Sequence, residues 1–254
     1  DNQGIRVCFK QKPTDISGEA ESLMMDYMKA IYRRIRECDD RLKDGNHIVY
    51  IARPSGWIEE EAKELYREMA LKVGIPLAGL TSESRAAIFY AKSPAVSFAN
   101  EIARGAIVFD LGSSTLDFTY LSDTDKPIDY GYDLGASIID KTIFNTMIKS
   151  NEKIQEFLSK YPEYEGSLLY KARKFKETAY GRKEDSPTKE SFDLDSIIQE
   201  TEPAYEEYGD TRVKLKISKL GDLNDCIEEH AKYLSKLKAA LLDFKETKIK
   251  GKNL

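Results

Sequence analysis

Histidine and cysteine are scarce in this chain. Its 254 residues include 2 His (His47 and His230) and 3 Cys (Cys8, Cys38 and Cys226). No Cys/His spacing matches a zinc site, and a His-dependent triad has little to draw on. An odd, scattered set of thiols argues against a disulfide framework and for a reducing, cytoplasmic compartment. A large excess of one charge is lacking too. The 39 Lys+Arg stand against 44 Asp+Glu, a net charge of -5. That balance sets aside a basic nucleic-acid footprint and an anionic-membrane surface, so neither nucleic acid nor membrane is an expected partner. No apolar run approaches the roughly 18 residues of a transmembrane helix. The polar start, Asp1 to Gly4, carries no signal-peptide pattern. Because the first residue is Asp1 and not Met, we expect a processed or excised piece.

What is present suits a globular protein. Hydrophobic residues make up 41% of the chain, and the length fits one large or two modest domains. Ile5–Lys10 reads as a short strand. A helical stripe of Leu23, Met24, Tyr27, Met28, Ile31 and Ile35 begins at Glu19 and runs to about Asp44-Gly45. His47–Ala52 is a buried-type strand. Ser55-Gly56-Trp57 opens a second helix that Gly74 stops. Ile75–Leu80 is a strand, and Ser82–Ala91 a third helix. Alternation of this kind predicts an α/β layered fold. Ala106–Asp110, Thr115–Leu121 and Pro127–Tyr132 read as three strands, and 137–149 as a helix. Beyond a polar stretch at 151–209, strands are expected at Ser191–Leu194 and Val213–Ile217, and one long helix at Leu220–Phe244.

The sharpest local signal is Asp110-Leu111-Gly112-Ser113-Ser114-Thr115-Leu116-Asp117. A strand delivers a carboxylate at its tip, a turn of small residues follows, and the next strand carries Thr115 and Asp117. Small residues let backbone N–H groups converge on an anion. A carboxylate there suits Mg²⁺, which keeps most of its waters and uses few protein ligands. The segment is neither a P-loop nor a dinucleotide fingerprint, because it lacks Gly-Lys-Ser/Thr and runs strand–turn–strand. On residues alone it also reads as an ordinary Gly/Ser hairpin turn.

Three segments in order sharpen that reading: Ile51-Ala52-Arg53-Pro54-Ser55-Gly56-Trp57, then Gly74 to Ala87 with Thr81-Ser82-Glu83-Ser84-Arg85, then Ile107 to Asp117. Together they resemble the nucleotide-binding domain of the seventy-kilodalton heat-shock (DnaK-type) chaperones, within the actin-like ATPase superfamily. Asp133-Leu134-Gly135-Ala136-Ser137-Ile138-Ile139-Asp140 is similar to that family's entry into its outer subdomain. Lys171-Ala172-Arg173-Lys174-Phe175-Lys176, followed by Ser191–Asp195, is similar to its adenosine-contacting helix and the next strand. The resemblance covers roughly 15–250. It implies an α/β actin-like (ribonuclease H-like) fold in an incomplete two-lobed domain: a first-lobe segment at 1–104, an inner hairpin at 105–134, an outer subdomain at 135–216, and a returning helix at 217–254.

The resemblance also implies site roles for ATP or ADP with Mg²⁺. Asp110 would organise the attacking water and hold the metal through water. Glu83 and Asp117 would face the catalytic cleft. Gly112, Ser113 and Ser114 would offer amides to the phosphates, Thr115 would reach the γ-phosphate, Gly135 and Ala136 would lie near the phosphates, and Lys176 would approach the adenosine. Read without the resemblance, Glu83 is a first-turn helix acid, Asp117 an outward strand residue and Lys176 part of a solvated face.

The pattern departs from the family in places. The first phosphate loop and the catalytic lysine that precedes this region are missing, and the chain stops at Leu254 before a second glycine-rich loop. The turn reads Gly-Ser-Ser, where a Cβ would crowd a position needing positive φ. Arg173 replaces an acid, Glu177 replaces a base, and Ile138-Ile139 replaces a more polar pair. Phosphoryl transfer depends on positioning, so the chain as it stands is expected to hydrolyse ATP poorly or not at all. The expected function is a chaperone-like, ATP-driven switch whose parent protein works with a co-chaperone, an exchange factor or a client-binding domain. The alternatives are a non-catalytic interaction module and a sugar- or acid-kinase relative.

Overall fold

The computed structural model describes residues 9–92, 106–122, 126–181, 192–194, 215–217 and 220–252. The chain divides into two compact units, one formed by 8–135 with 239–254, the other by 136–238 with 1–7.

The larger unit begins with helix α1 (Glu19–Cys38), which buries Met24 and Met28. It stops six residues short of the expected Asp44. Asp39 takes an extended backbone there and its side chain accepts the Arg41 amide, so the chain turns into a single 3₁₀ turn. Strand β1 (Val49–Arg53), helix α2 (Glu60–Lys72) and strand β2 (Leu77–Ser82) form a parallel strand–helix–strand unit. Gly74 ends α2 with φ +82, a left-handed conformation that glycine adopts without strain. Trp57, Ala62, Tyr66, Met69 and Ile75 join the α1 methionines in one core. Helix α3 (Glu83–Ala91) starts directly at the end of β2, with Ser82 as its cap.

Strands β3 (Ala106–Leu111), β4 (Leu116–Leu121) and β5 (Ile128–Tyr132) form an antiparallel meander with β4 in the centre. Every residue of β4 is buried. Phe118 stacks on Phe244 at 4.8 Å between ring centres, and the Tyr132 hydroxyl donates to Asp243 at 2.6 Å. These contacts fasten the last turn of the chain onto the meander.

The smaller unit contains helices α4 (Ser137–Ile143), α5 (Glu152–Lys160) and α6 (Glu165–Tyr180), the short antiparallel pair β6 (Phe192–Leu194) and β7 (Leu215–Ile217), and helix α7 (Leu220–Ala231). A π-helical turn at Phe144–Ile148 extends α4. Helix α4 lies against α6 and α7. The expected single helix from Leu220 to Phe244 is two helices. It breaks at Lys232, φ 50, before α8 (Tyr233–Asp243). The break has a local cause. The Glu228 carboxylate accepts the Leu234 amide at 2.9 Å and the Ser235 amide at 3.2 Å, capping a fresh helix start. Of the expected first strand, Ile5–Cys8 lies outside the described residues, and Phe9 and Lys10 carry no strand.

Candidate functional site

The site elements gather where β1 and β2 end. The β1 exit loop carries Ser55 and Gly56, and the end of β2 carries Ser82 and Glu83. The Ser82 hydroxyl accepts the Arg85 amide at 3.3 Å, which satisfies one of the open donors of the first helical turn. Glu83, one residue past that cap, forms an ion pair with Lys10.

Antiparallel register sets Asp110 on β3 directly opposite Asp117 on β4. Two carboxylates in direct register repel each other. Asp117 is 1% exposed and both of its oxygens are occupied. Its Oδ1 accepts the Ser55 amide at 2.6 Å and its Oδ2 accepts the Thr115 hydroxyl at 2.8 Å. Burial pushes the Asp117 acid up, the Thr115 and Ser55 bonds pull it down, and the charges of Glu83 and Asp110 push it up again. Asp110 is also pushed up, by burial first and by Glu83 second, with Lys10 opposing. Glu83, Asp110 and Asp117 therefore form one electrostatic cluster, with Lys10 as its cation.

Between the two aspartates the chain turns through Gly112-Ser113-Ser114-Thr115. The Gly112 amide donates to the Thr115 carbonyl at 2.9 Å, closing the turn. Among the described residues the Ser113 and Ser114 amides donate to no acceptor of the chain. The crowding expected from serine in place of glycine does not arise, because neither serine has a positive φ. Gly135 supports the turn from behind. Its amide donates to the Ser114 carbonyl at 3.1 Å, and a Cβ there would strike the Ser113 and Ser114 backbone. Gly131 is tied to the site in the same way, since a Cβ on it would strike the Gly56 amide and Asp117. Seven of the expected site residues thus converge within the larger unit: Glu83, Asp110, Gly112, Ser113, Ser114, Thr115 and Asp117, backed by Gly135. Thr115 spends its one hydroxyl proton on Asp117.

Ala136 and Lys176 belong to the smaller unit. There the Lys176 ammonium pairs with buried Asp140 at 2.7 Å and donates to the Ala136 carbonyl at 3.3 Å. These bonds clamp α6 onto the start of α4. The reversed charges on α6 meet each other: Arg173 Nε donates to Glu177 at 2.9 Å, and Lys174 bonds the same carboxylate at 2.9 Å. Together they hold Glu177 down to about 2. Arg173 and Glu177, four residues apart on one helix face, thus neutralise each other.

Several participants went unread in the sequence: Lys10, Ser55, Ser84, Thr119 and Asp129. Thr119 had a signal, because strand alternation puts it on the same face as Asp117. Lys10 had none. Half-buried Arg53, at the end of β1, is pushed down by burial, against the pull of Asp129.

The donor set fits an anion and a hard cation. Two free amides sit on the turn, and oxygen-only carboxylates stand beside it. No cluster of three or more His, Cys, Asp or Glu side chains able to hold a metal occurs among the described residues, so any Mg²⁺ here would be held largely through water. No helix among the described residues is long and apolar enough to cross a membrane.

No family model matches the chain, and no curated protein matches it in sequence. Solved structures do. MreB5 of Spiroplasma citri bound to ADP matches with a TM-score of 0.53 and 17% identity, over 98% of this chain and 62% of that one. The same protein bound to AMPPNP matches with a TM-score of 0.52 and 17% identity, over 89% of this chain and 60% of that one. The chain thus spans about three fifths of these neighbours' length. Its strand–helix–strand unit, its antiparallel meander and these likenesses give the chain an α/β fold similar to that of MreB5, matched over part of that protein's length.

Proposed function

We propose that this chain is the nucleotide-binding part of an ATP-dependent conformational switch of the heat-shock-chaperone type. The observation that carries the reading is the turn at 112–115. Its Ser113 and Ser114 amides are free, Gly135 backs it, and Asp110, Asp117 and Glu83 flank it. The solved neighbours bound to ADP and AMPPNP support a nucleotide as the ligand.

In this reading the two serine amides donate to phosphate oxygens. Asp110 orients water, including water of a magnesium shell. Glu83 accepts a hydrogen bond from the attacking water once Lys10 lets go of it. Asp117 keeps the β1 exit loop against β4 and holds the Thr115 hydroxyl in place. Bound Mg²⁺ would supply charge neutralisation for the phosphates. The parent protein would pass the switch to a co-chaperone, an exchange factor or a client-binding domain. The free thiols of Cys38 and Cys226 are consistent with a cytoplasmic setting. A second reading, a non-catalytic interaction module, draws support from the Lys10–Glu83 pair, which neutralises the acid that catalysis would use.

The test is the thermal midpoint with and without millimolar Mg-ATP. Ligand at a hundred times its Kd stabilises by about 2.7 kcal/mol, a shift of several degrees at roughly 2–4 °C per kcal/mol. The shift should need magnesium and vanish in Asp110→Ala. A midpoint indifferent to Mg-ATP would overturn the nucleotide reading and leave the interaction module.

A further inference from the structure

Beneath the carboxylate cluster runs a line of fully buried hydroxyls. Ser55, Ser84 and Thr119 are 1%, 0% and 0% exposed. Ser84 Oγ lies 3.0 Å from Ser55 Oγ and within hydrogen-bond reach of Thr119 Oγ1. Thr119 donates to Asp129 Oδ1 at 2.7 Å, and Arg85 Nε pairs with Asp129 Oδ2 at 2.6 Å.

Valence fixes the direction of this line. A hydroxyl has one proton. Thr119 gives its proton to Asp129, so Ser84 must donate to Thr119, and Ser55 must in turn donate to Ser84. The chain of donation runs Ser55 to Ser84 to Thr119 and ends on a carboxylate, an arrangement in which each bond polarises the next. It also joins the elements that carry the site. Ser55 belongs to the loop whose amide holds Asp117. Ser84 follows Glu83 on α3, Thr119 follows Asp117 by two residues on β4, and Asp129 lies on β5. Arg85 closes the circuit back onto the first turn of α3.

We infer that Ser84 and Thr119 are positioning residues: their hydroxyls set the first turn of α3 on β4 and thereby fix Glu83 against Asp110 and Asp117. The inference rests on the nucleotide-switch reading for its functional consequence, but not for its geometry. A purely space-filling role for these side chains predicts that shape matters and the hydroxyl does not.

The experiment compares Thr119→Val, which keeps the shape and loses the hydroxyl, with Thr119→Ser, which keeps the hydroxyl, in the full chain. Two quantities are read. The first is the set of nuclear Overhauser contacts between the first turn of α3 and β4 without nucleotide, which reads where Glu83 is held. The second is the Kd for Mg-ATP. In Thr119→Val those contacts should weaken, and the Kd should rise about tenfold, the scale of one lost buried hydrogen bond. In Thr119→Ser both should stay at the wild-type values. A Thr119→Val protein that keeps the contacts and binds like the wild type overturns the inference, and so does a Thr119→Ser protein that behaves like Thr119→Val. If Thr119→Val does not fold, Ser84→Ala takes its place under the same criteria, with Ser84→Thr as the hydroxyl-keeping control. If the wild type binds no Mg-ATP, the nucleotide reading falls, and the α3–β4 contacts alone decide on positioning.

Discussion

A carboxylate that folding forces toward other carboxylates costs stability and is retained only where something else needs it. Asp110 is such a group. Burial and Glu83 both oppose its ionisation, and Lys10 compensates only in part. Asp110→Asn should therefore raise the denaturation midpoint at neutral pH by a small margin, under about 1 kcal/mol for so accessible a group, while weakening Mg-nucleotide binding. A urea melt and a nucleotide titration on one preparation read both effects, and a fall in stability would contradict the repulsion argument. Asp117 predicts the reverse. Its two oxygens satisfy the Ser55 amide and the Thr115 hydroxyl in a buried place. Asp117→Asn replaces one acceptor by a donor, strands one of those groups, and should cost about 1–3 kcal/mol. A urea midpoint equal to that of the wild type would mean that the Ser55 loop is held by other contacts. Two aspartates in register, of one residue type, thus answer the same substitution with opposite signs.

At the scale of elements, the break at Lys232 offers a direct check. A lysine at φ 50 carries left-handed strain that a glycine would not. Lys232→Gly should stabilise the chain by about 0.5–1 kcal/mol in equilibrium unfolding, provided Glu228 keeps its cap on α8. A destabilised variant would show that Lys232 earns its place through its side chain. That break also marks the limit of what the sequence discloses. Hydrophobic periodicity runs unbroken from Leu220 to Phe244, and the interruption comes from a single glutamate reaching six and seven residues forward. The end of α1 at Cys38 was hidden for a similar reason, an aspartate bonding two residues ahead. Where local chemistry and pattern agree, sequence and structure coincide closely: Gly74 closes α2, the helix expected over Ser82–Ala91 runs Glu83–Ala91, and Asp110 and Asp117 bracket a small-residue turn. The turn residues and Glu83 were legible because they sit close together in sequence or in ordered motifs. The hydroxyl line was not, because Ser55, Ser84, Thr119 and Asp129 come from four separate elements that only the fold brings together. Arg173 and Glu177 read as two defects until the helix set them four residues apart as a pair.

For the whole molecule the signs of the shifted acids combine into one pH profile. Asp110, Asp117 and Asp140 all hold their protons more tightly folded than unfolded, with burial the leading cause in each. For a raised acid, the folded state binds more protons than the unfolded one, so stability falls as pH rises from the ordinary carboxylate value of 3.8 through the raised one. Asp39 and Glu177 lie on the other side, held down to about 2 by Arg41 and by Lys174 with Arg173. So do Glu59, Glu60, Glu228 and Asp243, held down by Lys12, Lys63, Ser235 and Tyr132 in that order. Their contribution is present above the ordinary range and is lost as pH falls through the lowered values. These groups reach solvent, so each counts for little. The three buried acids therefore favour mild acid over neutrality, against weak opposing contributions from the paired surface acids. Acidification also brings the net charge of -5 toward zero, so solubility should be poorest close to where folding is strongest. Urea midpoints measured at intervals from pH 4.5 to 7.5 should rise on acidification, and Asp110→Asn should flatten the slope by removing one raised acid. Midpoints that fall steadily below pH 7 would mean that paired surface carboxylates outweigh the buried ones, and the cluster at the end of β3 and the start of β4 would then carry less strain than its geometry implies.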